Sequence, residues 1–454
     1  MVRAAAIVLC LVAPAAPLRA AARSLLHATL LRSTPAAKSH LAKSPQTVRL
    51  VFSEQIVPEL SQVTLVNASG DSASLKLAND PHDVHVVVGT VVGELSGPVK
   101  VVWRVLSADG HPVGGNFSFT VGSATASSTP MTTPGTTTGK VTATPDTAVV
   151  AAPAPGAAAQ TATPGEKPVP VFAALFRGVG VGAMMAGIGL LFFGLTAGDR
   201  RVLIPGALVT SLIAAGALFL VAHAIAWLEH VSPTGHLSGG FISSMLNSTM
   251  GRVELLRTAL AVLTLWAISL ARHRKIALGL GIACIVLSGA IGHPAAIQPF
   301  IAIPSKIIHL LSGSMWIGGL LWLAWVARCD EAACRIEARR VSSAALIAVI
   351  LIFLSGLLQT VLFLNTPSDL FHYDYGKLVF NKMVGLVILI GFGIYNRVKL
   401  IPRLEAADTQ KKLVRSVRLE MAIITVVVLL SGFVAYEPTP PAPSAVPASA
   451  GMTR

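Results

Sequence analysis

From Val169 onward the chain carries eight apolar runs of bilayer-crossing length, about 171–196, 202–228, 252–271, 275–293, 305–326, 341–364, 378–401 and 419–436. A hydrocarbon core ~30 Å thick takes about 20 apolar residues in helical form. Inside it every backbone N–H and C=O must be satisfied internally, which restricts spanning structure to helices and closed barrels. Residues 169–436 therefore read as an all-α bundle of eight transmembrane helices. Glycines crowd the first run (Gly178, Gly180, Gly182, Gly187, Gly189), as expected where helices approach closely. The 454 residues are 53% hydrophobic and only 12% charged, which is the composition of a membrane protein.

Basic residues fall in alternate loops. Arg200 and Arg201 follow the first run, Arg272, Arg274 and Lys275 the third, and Arg328, Arg335, Arg339 and Arg340 the fifth; seven more bases lie between Arg397 and Arg418. The other loops carry Lys377, with Arg252 at a run boundary. The positive-inside rule places the basic loops in the cytoplasm and both ends of the membrane part outside. Membrane topology thus accounts for the net charge of +14, and no nucleic-acid partner is expected. Residues 1–22 read as a signal peptide, with Arg3, an apolar Ala4–Val12 core and Ala20-Ala21-Ala22 before the cut, and this demands the same orientation. Residues 123–168, rich in Thr, Pro and Ala, read as a disordered linker, and 437–454 as a disordered tail. Cys10, Cys284, Cys329 and Cys334 all lie outside 27–122, so no disulfide framework supports that segment.

Residues 27–122 read as an exported all-β sandwich. Val48, Leu50 and Phe52 alternate with polar neighbours, and Val63–Val66, Val84–Val88, Val99–Leu106 and Phe117–Val121 follow between turn signals such as Asn67-Ala68-Ser69-Gly70-Asp71. Between the last two strands lies Ser107-Ala108-Asp109-Gly110-His111-Pro112. A carboxylate and an imidazole two residues apart on extended chain project to one side, half of a divalent-metal site. Asp80-Pro81-His82-Asp83-Val84-His85 is also rich in ligand atoms and reads as a solvated loop.

The chain has twelve histidines, and under this topology only His273 is cytoplasmic. His223, His230, His236, His293, His309 and His372 lie in outer loops or the outer part of a run. Ionisable groups inside a membrane are costly and mark function by default. Imidazoles of His223, His293 and His309 converging from three helices would suit copper, and Met184, Met185 and Met315 would add thioethers for Cu(I). Paired helix histidines also suit haem. Tyr375, Lys382, Asn396 and Glu420 are further polar residues in or beside the runs.

Several of these stretches carry a family resemblance. Ser33-Thr34-Pro35-Ala36, Val48–Glu54, Trp103–Pro112 and Gly115–Phe119 resemble CopC, a small periplasmic copper-binding β domain of Greek-key type. Gly292-His293-Pro294-Ala295, His309 with Trp316–Leu320, Tyr375-Gly376 with Lys382, and Tyr395-Asn396 resemble CopD. The whole is similar to a CopC–CopD fusion. The resemblance implies a Cu(II) site built from His27, Asp109 and His111, with Glu54 beside it. Cleavage after Ala22 leaves Arg23–Leu26 ahead of His27, which then keeps its imidazole but lacks the terminal amine; trimming to His27 supplies both. The methionine-rich Cu(I) site of the family is absent, because residues 27–122 contain no methionine.

The expected function is capture of Cu(II) outside the cytoplasmic membrane and its passage across, with Cu(I) in the membrane part. The alternatives are periplasmic sequestration, with the membrane part as anchor or sensor, and a haem-binding redox protein. The expected partners are copper ions, the bilayer and a periplasmic copper donor. No catalytic residues are expected, and no phosphate-binding loop suggests an ATP-driven pump.

Overall fold

The computed structural model describes residues 28–108, 110, 112–122, 170–198, 202–232 and 237–440. The expected signal peptide, linker and most of the tail lie outside the described residues, as do His27, Asp109, His111 and His236. The described residues form two units, one of strands and one of helices.

The β unit holds β1 (Leu30–Thr34), β2 (His40–Leu41), β3 (Thr47–Phe52), β4 (Ile56–Val66), β5 (Ser72–Ser74), β6 (Lys76–Asp80), β7 (Asp83–Thr90), β8 (Gly97–Ser107) and β9 (Pro112–Val121). They form a four-stranded sheet in the order β1-β3-β7-β6 and a five-stranded sheet in the order β2-β9-β8-β4-β5. Period-two patterning decides which side chains are buried: Val48, Leu50 and Phe52 on β3, Val99, Val101, Trp103 and Val105 on β8, and Val113, Phe117, Phe119 and Val121 on β9. Phe52 from one sheet meets Trp103 from the other edge-on, with ring centroids 5.3 Å apart. Gly115 is required beneath that indole, since a Cβ there would lie 2.3 Å from Trp103 Cζ2.

The helical unit contains α1 (Val171–Leu195), α2 (Gly206–Val231), α3 (Gly239–Asn247), α4 (Thr249–Ser269), α5 (Arg274–Gly289), α6 (Pro299–Cys329), α7 (Glu331–Phe363), α8 (Asp374–Tyr395) and α9 (Ala407–Val434). Single helical turns at His293–Ala296 and Asp369–His372 join α5 to α6 and α7 to α8. A π-helical segment, Asn396–Leu400, and a 3-10 turn, Ile401–Arg403, extend α8. Among the described residues, six helices are long and apolar enough to cross a membrane: α1, α2, α6, Ala332–Phe363 of α7, Asp374–Arg403, and Asp408–Val434 of α9. The other two expected runs are also helical. However, α4 carries Arg252, Glu254 and Arg257, and α5 has only 16 residues.

Helix α1 packs on α2, α6 and α9 through its small residues. A Cβ on Gly189 would lie 2.0 Å from Ser314 O, and one on Gly318 would lie 2.1 Å from Gly189 C, so α1 and α6 cross backbone to backbone. On the other side, a Cβ on Gly432 of α9 would lie 2.1 Å from Ala174 O. Gly318→Ala should therefore lower the stability of the helical unit by roughly 1–3 kcal/mol through overpacking, read as earlier thermal unfolding of the purified protein. Gly279→Ala, where nothing lies within 4 Å of the added carbon, is the control. Equal behaviour of the two would refute the close crossing.

Candidate functional site

The helical unit contains a partly open cavity of about 350 Å³. Its lining joins Arg177 and Met185 of α1, His293 of the turn before α6, Lys306 and His309 of α6, and Tyr375 and Lys382 of α8. Most of the remaining wall is apolar, and no Asp or Glu is among the described residues that line it.

His293 reaches the cavity because the chain turns sharply before it. Gly292 has φ +86°, a left-handed conformation that favours glycine, and Pro294 occupies the next helical turn. The Lys306 ammonium donates to Ile291 O at 2.8 Å and ties α6 to this turn. The His293 ring is 4% exposed, with Nε2 3.3 Å from Val434 O at the end of α9. A carbonyl only accepts, so Nε2 carries the proton and donates. The ring stands edge-on to Tyr375 at 5.5 Å and to Phe363 at 6.2 Å.

His309 lies one turn along α6 from Lys306. Its Nδ1 is 3.0 Å from Ser355 Oγ, and that hydroxyl spends its own proton on Leu351 O at 2.5 Å. Nδ1–H therefore donates to Ser355, which leaves Nε2 as the nitrogen that carries the lone pair. A partner that orients the ring and sets its tautomer in this way is what a metal-binding imidazole needs.

His223 lies elsewhere. It does not line the cavity, and both its nitrogens face polar groups. Nδ1 is 3.0 Å from Ala173 O and 3.3 Å from Tyr436 Oη, and Nε2 is 3.5 Å from Glu254 Oε1. Glu254 in turn pairs with Arg257 one turn along α4. His223, Glu254, Arg257 and Tyr436 are all at most 4% exposed. Among the described residues, no three His, Cys, Asp or Glu come together as a group able to hold a metal ion. Of the soft ligands considered, Met185 lines the cavity, while Met184 and Met315 do not.

Sequence reasoning singled out His223 but missed its partners. Glu254 and Arg257 carried a signal in hindsight, since opposite charges at i and i+3 inside an apolar run neutralise one another. Nothing local ties His223 to Tyr436. A second buried network was also missed: Glu337 accepts from Trp322 Nε1 at 2.8 Å, Arg340 Nη1 at 2.7 Å and Gly198 N at 2.7 Å. In the β unit, His82 and His85 sit at the β6–β7 turn and are exposed. The His82 amide and the Arg49 guanidinium hold the Asp80 carboxyl below its usual range, while the His85 amide and ring do the same for Asp83.

These features define a multi-pass membrane protein with a β domain ahead of its helices and a histidine-lined cavity among them. Residues 30–122 match the CopC domain family, and residues 336–434 match the family described as copper resistance protein D, CopD. The chain is 25% identical over 453 residues to the copper transport protein CutJ of Bacillus subtilis, covering 93% of this chain and 76% of that protein. It is 27% identical over 244 residues to the inner membrane protein YebZ of Escherichia coli, covering 50% and 81%. It is 30% identical over 108 residues to copper resistance protein C of Escherichia coli, covering 22% of this chain and 83% of that one. The chain belongs to the CopC–CopD family, with both domains on one polypeptide.

Proposed function

We propose that this protein captures Cu(II) outside the cytoplasmic membrane and passes copper inward through the helical unit. The observation that carries this reading is that His293 and His309 line one cavity, in a chain whose relatives include a copper transport protein and a copper resistance protein. Capture falls to His27, Asp109 and His111, a nitrogen and oxygen set suited to tetragonal Cu(II), with Glu54 beside it. In the cavity, His309 Nε2 and His293 accept copper, and Met185 supplies a thioether for Cu(I). His223 belongs to the ion-pair cluster of Glu254 and Arg257 rather than to the copper route.

The bundle crosses the membrane eight times in this reading. The six long apolar helices cross singly, and α4 and α5 cross as a pair. Pairing of Glu254 with Arg257 neutralises two of the three charges on α4 and leaves Arg252, in its first turn, as the third. The basic loops then face the cytoplasm, and the β domain and the C-terminus face out.

Copper titration of the full-length protein tests capture. The wild type should show a tightly bound Cu(II) with a tetragonal electron paramagnetic resonance signal, and Asp109→Ala/His111→Ala should lose it. Retention of that signal in the double variant would remove these residues from the site.

One observation favours a second reading. Arg177, Lys306 and Lys382 surround a largely apolar cavity that holds two histidines and no carboxylate among its described lining. Such a lining also suits haem, with the cations on its propionates and imidazole on its iron. A Soret band in the purified protein decides for haem, and a colourless helical unit decides against it.

A further inference from the structure

Among the described residues three glutamates are buried: Glu254, Glu337 and Glu420. The first two are paired with Arg257 and Arg340. Glu420, on α9, is 1% exposed, and its hydrogen-bond partner is neutral: Asn396 Nδ2 donates to Oε1 at 2.6 Å. An ionised carboxylate in such surroundings is far more costly than the neutral acid.

Two more polar atoms beside it lack partners. Among the described residues, Asn396 Oδ1 is buried with no donor and Ser416 Oγ is buried with no partner. Ser416 precedes Glu420 by four residues, which puts both on one face of α9. A proton on Glu420 supplies the donor that Asn396 Oδ1 lacks. The O–H then donates to Oδ1 while Nδ2–H donates to the other carboxyl oxygen, closing an acid–amide pair with two hydrogen bonds. Asn396 opens the π-helical segment Asn396–Leu400, a local widening of the helix of a kind found mostly at functional sites.

Among the described residues, the charged groups on the elements packed around Glu420 line the cavity, are bonded to other groups or are exposed. Arg177 of α1, Lys306 and His309 of α6 and Lys382 of α8 line the cavity. Asp374 pairs with Lys377, and Asp408 with Lys412. Arg397 donates to Ser342 O and Oγ, both at 3.0 Å. Arg328, Lys399, Lys411, Arg415 and Arg418 are exposed.

We propose that Glu420 and Asn396 form a proton-binding site at the end of the helical unit that carries the basic loops. Glu420 takes up and releases the proton, Asn396 holds the acid form, and the Ser416 hydroxyl offers the next hydrogen-bonding position along α9. The site does not depend on the copper reading.

Infrared spectroscopy of the full-length protein in lipid nanodiscs tests it, in buffers from mildly acidic to mildly alkaline. The wild type should show a carboxylic-acid C=O band that moves on deuterium exchange, and Glu420→Gln should lose one acid equivalent of it. Glutamine keeps the shape and gives Asn396 Oδ1 an N–H donor. Asn396→Leu keeps the acid but removes its partner, so the band should remain and move to higher frequency. This reads the same site if the glutamine variant fails to fold. An unchanged spectrum in Glu420→Gln, or an unmoved band in Asn396→Leu, overturns the proposal. So does a band that appears only when sodium is replaced by choline, which would make the site one for sodium.

Discussion

Glu254→Leu should destabilise the helical unit by about 3–5 kcal/mol, the cost of leaving one member of a buried ion pair without the other. Arg257 is 0% exposed, and its Nε and Nη1 have no hydrogen-bond partner among the described residues. Glu254 is its ion-pair partner among the described residues. Loss of the carboxylate therefore strands a guanidinium in the bundle and also removes the group that faces His223 Nε2 at 3.5 Å. Arg257→Leu alone should cost less, because the carboxylate still faces His223 Nε2 at 3.5 Å. The double variant Glu254→Leu/Arg257→Leu should recover most of the loss, since replacing a whole buried pair by apolar side chains is often neutral or stabilising. Thermal unfolding of the four proteins in one detergent gives the cycle, and the two residues are close enough for strong coupling. Additive losses with no recovery would mean that the pair does not act as a unit. The same cycle bears on the eight-crossing topology, because an α4 free of both charges is a better membrane span than the wild-type helix.

The parts of the fold that were legible are those in which periodicity or hydropathy maps directly onto burial. Val48, Leu50 and Phe52 alternate in the sequence and point into the sandwich. β2 and β5 left no such trace. β2 is two residues long and pairs in parallel with β9 through its backbone, while Ser72–Ser74 is exposed along its whole length. Hydropathy located the apolar runs but not the helix ends. α7 starts at Glu331, ten residues before the expected 341, because Asp330 caps it with acceptor bonds from the amides of Ala332 and Ala333 and its first turns are polar. α3 fell in an expected outer loop, yet Ser238 caps it by accepting from Phe241 N. The site was legible one residue at a time. His293 and His309 stood out as costly groups in apolar surroundings, whereas the choice between cavity and ion-pair cluster for each histidine depends on pairings such as His223 with Glu254. Such contacts span tens of residues, and no local rule encodes them.

His293→Ala/His309→Asn should lower copper accumulation in cells by at least an order of magnitude, towards the level of the gene deletion. Loss of groups that merely orient a metal ligand costs on the order of 10- to 100-fold in affinity, and this variant removes the ligands themselves. Asparagine at 309 places an amide N–H near the position of Nδ1, so it can still donate to Ser355 Oγ while the Nε2 lone pair is gone. A loss in this variant then reports on ligation rather than on collapse of α6 against α7. If capture and passage act in series, Asp109→Ala/His111→Ala should lower accumulation too, and the quadruple variant should fall no further than the more severe of the two doubles. Sequestration by the β domain gives a different pattern. Tolerance to copper then falls in the Asp109/His111 variant, the membrane-histidine variant accumulates like the wild type, and the two sets of substitutions act independently. Wild-type accumulation in both double variants and in the deletion would exclude inward passage. A drop confined to the membrane-histidine variant would leave the cavity on the copper route and remove the β domain from it.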